Sequence, residues 1–294
     1  LPELREAVAA HYRRMQGLEF DWPTEVTITS GATEAIAATL LALIRQGDEV
    51  VVFQPMYDAY APLVARAGGV LRVVRLQPPD WRFDAAMLAA AFSPRTRAVI
   101  LNTPQNPTGA LADRAQLELL AQFCVRGDVV AMCDEVWEHV VFDGRTHLPL
   151  ISMPGMRERA VKIGSAGKMF ALTGWKVGFV CAAPALTAVI AKAHQFITFA
   201  TPPNLQRGAA YGLGKDEAYF QGMRADLQRS RDRLAAGMRA AGFTMLECGG
   251  AYFSCLDLAA SGVALDDVTF CTRAVEEAGV AMIPLSAFCV EAPV

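Results

Sequence analysis

Short apolar runs rich in β-branched residues alternate with longer helical patterns along much of this chain of 294 residues. Consecutive parallel strands need a crossover connection, usually a helix, so the alternation predicts an α/β fold. The expected architecture is a mostly parallel seven-stranded sheet with helices on both faces. The runs predicted to be strands are Val26 to Thr29, Glu49 to Phe53, Val70 to Val74, Ala98 to Leu101, Val129 to Cys133, Val161 to Ile163 and Val177 to Ala182.

The last connection in this series differs from the others. Between Gly164 and Val177 lie about a dozen residues rich in glycine and turn formers, which is barely enough for a parallel crossover. We therefore expect Val177 to Ala182 to run antiparallel to its neighbours.

The pattern changes near Pro203, where a long helical stretch rich in Arg and Gln begins and runs to Ala241, with one break near Lys215. The elements expected after it are strands at Phe243 to Leu246 and Ala251 to Leu256, a helix at Leu265 to Ala278 and a strand at Val280 to Ile283. We predict a large α/β domain at residues 1–222 and a smaller α+β domain at residues 223–294.

Composition excludes several classes of protein. The formal net charge is −3 and no block of Lys and Arg is present, so a nucleic acid is not expected as a partner. No apolar run reaches the roughly 18 residues that a membrane-spanning helix needs. The seven cysteines are scattered without a C-x-x-C pair, which indicates reduced thiols rather than disulfides or a zinc site. We expect a cytoplasmic protein without a bound metal.

Polar residues suited to one ligand follow several predicted strands. In an open α/β sheet, ligands bind outside the carboxyl ends of the parallel strands. Ala32 and Thr33 open a helix after the first strand, where free N–H groups favour a phosphate, although a Ser or Thr there is more often a plain helix cap. Asp134 ends the fifth strand after an apolar run, so it should be buried and should need a partner.

Other residues at these strand ends can be explained without a ligand-binding role. Tyr57, after the second strand, could be a core or surface ring. The loop from Asn102 to Gly109, NTPQNPTG, contains the turn signals N-P and T-G. Lys168, after the sixth strand, could be a solvated loop charge.

The stretch from Val161 to Gly178, VKIGSAGKMFALTGWKVG, decides between these alternatives. It resembles the cofactor-lysine motif of fold-type I aminotransferases, S-x-x-K followed by T-G-W-[RK]-x-G, and NTPQNPTG resembles their N-x-P-x-N-P-[TS]-G loop. The resemblance extends from Leu4 to Ser286 with the motifs in the family's order. It is greatest to the branch of methionine, glutamine–phenylpyruvate and kynurenine aminotransferases and to bacterial succinyldiaminopimelate aminotransferases.

The resemblance implies pyridoxal 5′-phosphate as the cofactor and assigns a role to each residue. Lys168 would be the Schiff-base lysine and proton shuttle, Asp134 would pair with the pyridine nitrogen, and Tyr57 would stack on the ring. Asn106, and less strongly Asn102, would contact the phenolic oxygen. The groups implied for the phosphate are Ser165, Lys176 and the amides of Ala32 and Thr33.

Two positions depart from the family. Lys176 stands where many relatives have Arg, so its contact with a phosphate would be a point charge and not a bidentate fork. Trp137 stands where the family usually has a Tyr that donates to the phenolic oxygen. Because an indole N–H has a different reach, the Trp137 contact is left open.

The function implied is transfer of an amino group from an L-amino acid to a 2-oxo acid, with methionine, aromatic, glutamine and diaminopimelate-type donors all open. A homodimer with shared active sites is implied as well. One alternative is a C–S lyase of the same fold, which uses the same cofactor chemistry. The other is a ligand-sensing regulator, although no helix-turn-helix is recognisable in these residues.

In the relatives, an arginine that binds the substrate carboxylate follows the segment matching Ile283 to Phe288. A tyrosine that reaches a neighbouring subunit's phosphate precedes the segment matching Leu1. We expect both to lie outside the given sequence, which would then be truncated at each end and bind amino acids poorly.

Overall fold

One seven-stranded sheet dominates the structure, a computed structural model that describes residues 1–290. Its strands are β1 (Val26–Thr29), β2 (Glu49–Gln54), β3 (Val70–Arg75), β4 (Thr96–Asn102), β5 (Val130–Asp134), β6 (Ala160–Ser165) and β7 (Gly178–Ala182). Their order across the sheet is β1-β7-β6-β5-β4-β2-β3. β7 pairs antiparallel with both β1 and β6, while the other pairs are parallel. The predicted α/β sheet and its reversed strand are confirmed.

Helices cover the sheet and continue beyond it. They are α1 (Pro2–Gln16), α2 (Trp22–Glu25), α3 (Ala32–Leu43), α4 (Tyr60–Arg66), α5 (Ala85–Ala91), α6 (Arg114–Gly127), α7 (Ala166–Met169), α8 (Pro184–Ile197), α9 (Pro203–Leu213), α10 (Glu217–Ala240) and α11 (Asp267–Ala278). Local signals set their ends: α1 stops at Gly17, whose φ is 66°, and α6 begins with a capping box between Asp113 and Gln116. None of the helices described is both long and apolar enough to span a bilayer.

The two faces of the sheet carry separate apolar cores, because successive side chains of a strand point to opposite faces. In β2, Val51 and Phe53 pack with α1, α5 and α6, whereas Val50 and Val52 pack with α3, α4 and α8. This double burial explains why the strands are continuous apolar runs and do not alternate with polar residues.

The smaller C-terminal part contains less regular structure than predicted. Up to residue 290, the only strands that form there are β8 (Thr244–Met245) and β9 (Leu256–Asp257), as a short antiparallel pair. The strand predicted at residues 280–283 is wrong: the N–H of Val280 bonds to the carbonyl of Ala274, closing the end of α11. The apolar composition there suits a strand, but within residues 1–290 no neighbouring strand pairs with it. The division at residues 222 and 223 falls inside α10 and stays a prediction.

A buried ion cluster lies where β5 and β6 pair. The ammonium group of Lys162 contacts the carboxylates of Glu135 and Glu138, and its Nζ lies 2.6 Å from Glu138 Oε2. His147 Nε2 lies 3.1 Å from Glu135 Oε2. Burial alone would raise the pKa of Glu138, but Lys162, His139 and His147 together outweigh burial and hold that pKa at about 2. The two carboxylates and His147 have the spacing of a metal site, and here Lys162 supplies the cation.

Lys162→Met should destabilise the protein by about 3 to 5 kcal/mol, because it leaves two buried carboxylates without their cation. Chemical denaturation at neutral pH measures this loss. Arg273→Met is the matched control, since Arg273 pairs with Glu277 on the exposed face of α11 and should matter little. Equal free energies of unfolding for the two variants would contradict the structural role of the cluster.

Candidate active site

A cavity of about 430 Å³ opens at the carboxyl edge of the sheet. The residues predicted from the sequence to hold a cofactor all line it: Ala32, Thr33, Tyr57, Asn102, Asn106, Asp134, Ser165, Lys168 and Lys176. The parallel strands end at this edge, and β7 begins there because it is reversed. The topology therefore gathers residues that are far apart in the sequence.

One end of the cavity is formed by the start of α3. Gly31 precedes the helix with φ 83° and turns the chain so that the N–H groups of Ala32 and Thr33 begin it. β7 lies close against this turn, since a Cβ at Gly178 would stand 2.5 Å from the carbonyl carbon of Gly31. Lys176 also lies beside Gly31. A helix start next to a lysine is a site for an anion, above all a phosphate.

Lys168 lies in α7, directly after β6, and its ammonium group meets aromatic rings. Its Nζ is 4.9 Å from the ring centroid of Trp137 and 5.7 Å from that of Tyr252. Burial lowers the pKa of Lys168, Asp134 opposes this effect, and Lys176 adds to it. An amine with a lowered pKa is more often neutral, and a neutral amine is what a nucleophile or proton acceptor requires.

Asp134 is buried and only half satisfied. The hydroxyl of Tyr60 donates to its Oδ2 at 2.5 Å. Its Oδ1 has no hydrogen-bond partner among residues 1–290. Burial raises the pKa of Asp134 to about 6, and the bond from Tyr60 moderates this rise. A buried carboxylate oxygen without a partner at the wall of a cavity points to a ligand that brings an N–H or O–H group.

The two asparagines of the loop after β4 differ in what they contact. The side-chain amide of Asn102 donates to the carbonyl of Asp134 at 2.8 Å, and its Oδ1 accepts from the N–H of Asn106 at 2.6 Å. Asn102 therefore shapes the loop. The side chain of Asn106 lines the cavity, and its buried Oδ1 finds no partner in the described part of the chain. Of the two, Asn106 is the better placed to contact a ligand.

Tyr57 lies against the start of α3, where its hydroxyl is 3.3 Å from Thr33 Oγ1. Its ring meets that of Tyr60 edge-on, with centroids 5.6 Å apart. Tyr60 and Tyr252 contact site residues, Asp134 and Lys168 respectively, and the sequence patterns did not reveal either of them. A signal existed for Tyr60, which stands three residues after Tyr57 and so less than one helical turn away. No local signal could place Tyr252, which belongs to the C-terminal part and lies beside Lys168 and Trp137.

Comparison with known proteins decides the family. The family described as "Aminotransferase class I and II" matches residues 1–293. The chain belongs to this aminotransferase family. A probable N-succinyldiaminopimelate aminotransferase of Mycobacterium tuberculosis is 44% identical over 289 residues, covering 97% of this chain and 72% of the relative. The methionine aminotransferase of Escherichia coli is 41% identical over 289 residues, covering 98% of this chain and 74% of the relative.

Solved structures agree with this assignment. The N-succinyldiaminopimelate aminotransferase from Mycobacterium tuberculosis superposes with a TM-score of 0.96 at 44% identity, over 99% of this chain and 76% of the other. An Escherichia coli structure for which a methionine aminotransferase function was identified gives a TM-score of 0.96 at 39% identity, over 99% and 76%. The chain is thus an aminotransferase with the fold-type I architecture, and the lyase and regulator alternatives are not favoured.

Aminotransferases act on amino acids and 2-oxo acids. No arginine lines the cavity within residues 1–290, where the lining cations are Lys168 and Lys176. The expectation that the arginine for the substrate carboxylate lies beyond Val294 falls outside the described residues.

Proposed function

We propose that this aminotransferase binds pyridoxal 5′-phosphate in the cavity and uses it to transfer the amino group of an L-amino acid to a 2-oxo acid. The observation that carries the proposal is the unpartnered Oδ1 of Asp134, at the wall of the same cavity as the amine of Lys168. When bound, the cofactor supplies an aldehyde that links to amines and a ring that accepts electrons from the substrate's α-carbon.

The cavity offers each part of this cofactor a chemical partner. The start of α3, Ser165 and Lys176 would hold the phosphate, and the ring of Tyr57 would flank the pyridine. Asp134 would accept the pyridine N–H, which gives its buried oxygen the donor it lacks. Asn106 would contact the phenolic oxygen. The ring of Trp137 lies beside the ammonium group of Lys168. Trp137 would therefore contribute to the site through this ring contact, and the contact of its indole N–H stays open.

The protein's own residues then divide the work of the reaction. With the cofactor bound, the amine of Lys168 would take the proton from the substrate's α-carbon and would later give it back. The carboxylate of Asp134 would favour the protonated form of the ring nitrogen. The rings of Trp137 and Tyr252 lie beside the amine of Lys168, and burial lowers the pKa of this amine.

The aromatic wall also favours a class of donor. Trp137 and Tyr252 meet edge-on with centroids 4.6 Å apart beside the reactive amine. Thioether and aromatic side chains make favourable contacts with such rings. A distal carboxylate, by contrast, would need a cation beyond the two lysines that line the cavity. We therefore propose methionine and aromatic amino acids as the preferred donors.

A panel of amino donors tests this function. Each donor is added to the protein loaded with cofactor, and the cofactor's absorbance is followed with and without a 2-oxo acid acceptor. Methionine and phenylalanine should convert the cofactor to its amino form faster than glutamine or succinyldiaminopimelate does. Release of 2-oxo acid in every cycle without an acceptor would instead identify a lyase.

We also propose that a second copy of this chain covers the surface beside the cavity and completes it. Phe196 and Phe199 are 86% and 76% exposed, and Ile197 between them lines the cavity. Large apolar side chains clustered at the mouth of an active site are typical of an interface. A homodimer with shared active sites accounts for their exposure.

Replacing both rings, Phe196→Glu with Phe199→Glu, should convert the dimer to monomers and weaken cofactor binding. Sedimentation velocity measures the first effect and equilibrium dialysis the second. Leu234→Glu is the control, because Leu234 is also an exposed apolar residue, 51% accessible, but lies on α10. A double variant that remains a dimer would refute the proposed interface.

A further inference from the structure

Tyr60 is a buried residue of the site for which family resemblance and topology gave no role. It begins α4, on the face of the sheet opposite to α1, and its side chain is fully enclosed. Its hydroxyl donates to Asp134 Oδ2 at 2.5 Å, which leaves the other carboxylate oxygen to the cavity. Asp134 thus has one oxygen bonded to the phenol and the other free to bind a ligand in the cavity.

We propose that Tyr60 is a positioning residue that holds Asp134 as an ionised carboxylate, oriented so that Oδ1 receives the N–H of the cofactor's pyridine ring. The inference rests on the proposed function, since it assigns that nitrogen to Asp134. A charged carboxylate is held more strongly by a hydroxyl donor than a neutral acid is. The phenol therefore keeps the shared proton on the ring nitrogen and off Asp134.

The surroundings make Tyr60 a donor only. Burial and the adjacent Asp134 raise the pKa of the Tyr60 phenol well above its ordinary value, so the hydroxyl keeps its proton. The charged groups acting on Asp134 are Lys168 across the cavity, which favours its ionised form, and the neighbouring Glu135, which opposes it. Burial has the largest effect on the pKa of Asp134, and the hydrogen bond from Tyr60 is the largest of the effects that oppose it.

Tyr60→Phe tests the proposal by deleting one hydroxyl. With cofactor labelled with nitrogen-15 in its ring, we expect the nitrogen signal of the variant to move toward that of unprotonated pyridine. We expect kcat to fall by about tenfold with KM for the donor nearly unchanged, as suits the loss of one bond to a charged group. An unchanged nitrogen signal and an unchanged kcat would overturn the proposal.

Tyr12→Phe is the matched control. Tyr12 is also fully buried, and its hydroxyl donates to a buried carboxylate, Glu138 Oε1, at 2.9 Å. It belongs to the core on the other face of the sheet and is not among the residues lining the cavity in the described part of the chain. Tyr12→Phe should leave the nitrogen signal where it is in the unmodified protein. A shift equal to that of Tyr60→Phe would mean that a general loosening of the fold is responsible.

A second substitution keeps the test decisive if Tyr60→Phe does not fold. Site-specific replacement of Tyr60 by 3-fluorotyrosine preserves the ring and strengthens the donor, so the nitrogen signal should move the opposite way, toward protonated pyridine. No movement would overturn the proposal. If the unmodified protein shows no signal of bound cofactor, the cofactor assignment itself fails, and the role of Tyr60 fails with it.

Discussion

Lys168→Ala should reduce transamination by about 10⁴-fold, because in the proposed function Lys168 is both the amine that links to the cofactor and the base that moves the proton. The fold should survive. Burial lowers the pKa of Lys168, so the folded state disfavours its charge and loses little stability when the charge is removed. Production of 2-oxo acid measures the activity, and thermal unfolding measures the stability.

Lys192→Ala is the control for the loss of a lysine, since Lys192 lies exposed on α8. Reductive trapping with borohydride locates the cofactor independently of activity. After digestion, the labelled peptide from the unmodified protein should contain Lys168, and Lys168→Ala should yield no label. A label on Lys162 would be inconsistent with its burial between Glu135 and Glu138. A label on any other lysine would refute the assignment of Lys168.

The sheet, and the fact that the site residues meet at one of its edges, could be predicted from the sequence for a topological reason. Parallel strands linked by helices must end at one edge, so the residues that follow them meet there wherever the helices pack. Thr33, Asp134 and Lys168 could therefore be placed together without any knowledge of their contacts. The antiparallel direction of β7 was predictable because the connection before it is short.

Contacts that depend on how elements pack could not be predicted in this way. The bond from Tyr60 to Asp134 requires α4 to present that face to β5, and no spacing in the sequence specifies it. The pairing of Lys162 with Glu138 depends on the loop after β5 folding back over the sheet. The strand predicted at residues 280–283 is absent for the same reason: it depends on packing, because a segment with high β-propensity needs a neighbouring strand to pair with.

Asp134→Asn should lower kcat by about 10²- to 10³-fold while cofactor still binds, because the neutral amide cannot stabilise a protonated ring nitrogen. The substitution leaves unchanged the start of α3, where we propose that the phosphate binds. Equilibrium dialysis should therefore give similar cofactor affinities, and the loss should appear in the rate of α-proton exchange. Near-normal exchange in Asp134→Asn would remove this residue from the reaction.

The same substitution should stabilise the protein free of cofactor, in a way that depends on pH. Burial raises the pKa of Asp134 to about 6, so between pH 4 and 6 the folded state binds more protons at this carboxyl than the unfolded state does. The stability of the unmodified protein should then fall with rising pH across that window, by about 3 kcal/mol from this group alone. Asp134→Asn abolishes that loss, so its advantage in unfolding free energy should be small near pH 4 and full above pH 6. Saturating cofactor should remove most of this difference in unfolding free energy, because a pyridine N–H would then offset the burial of the Asp134 charge. A difference that stays the same at every pH would show that Asp134 does not titrate in the folded protein.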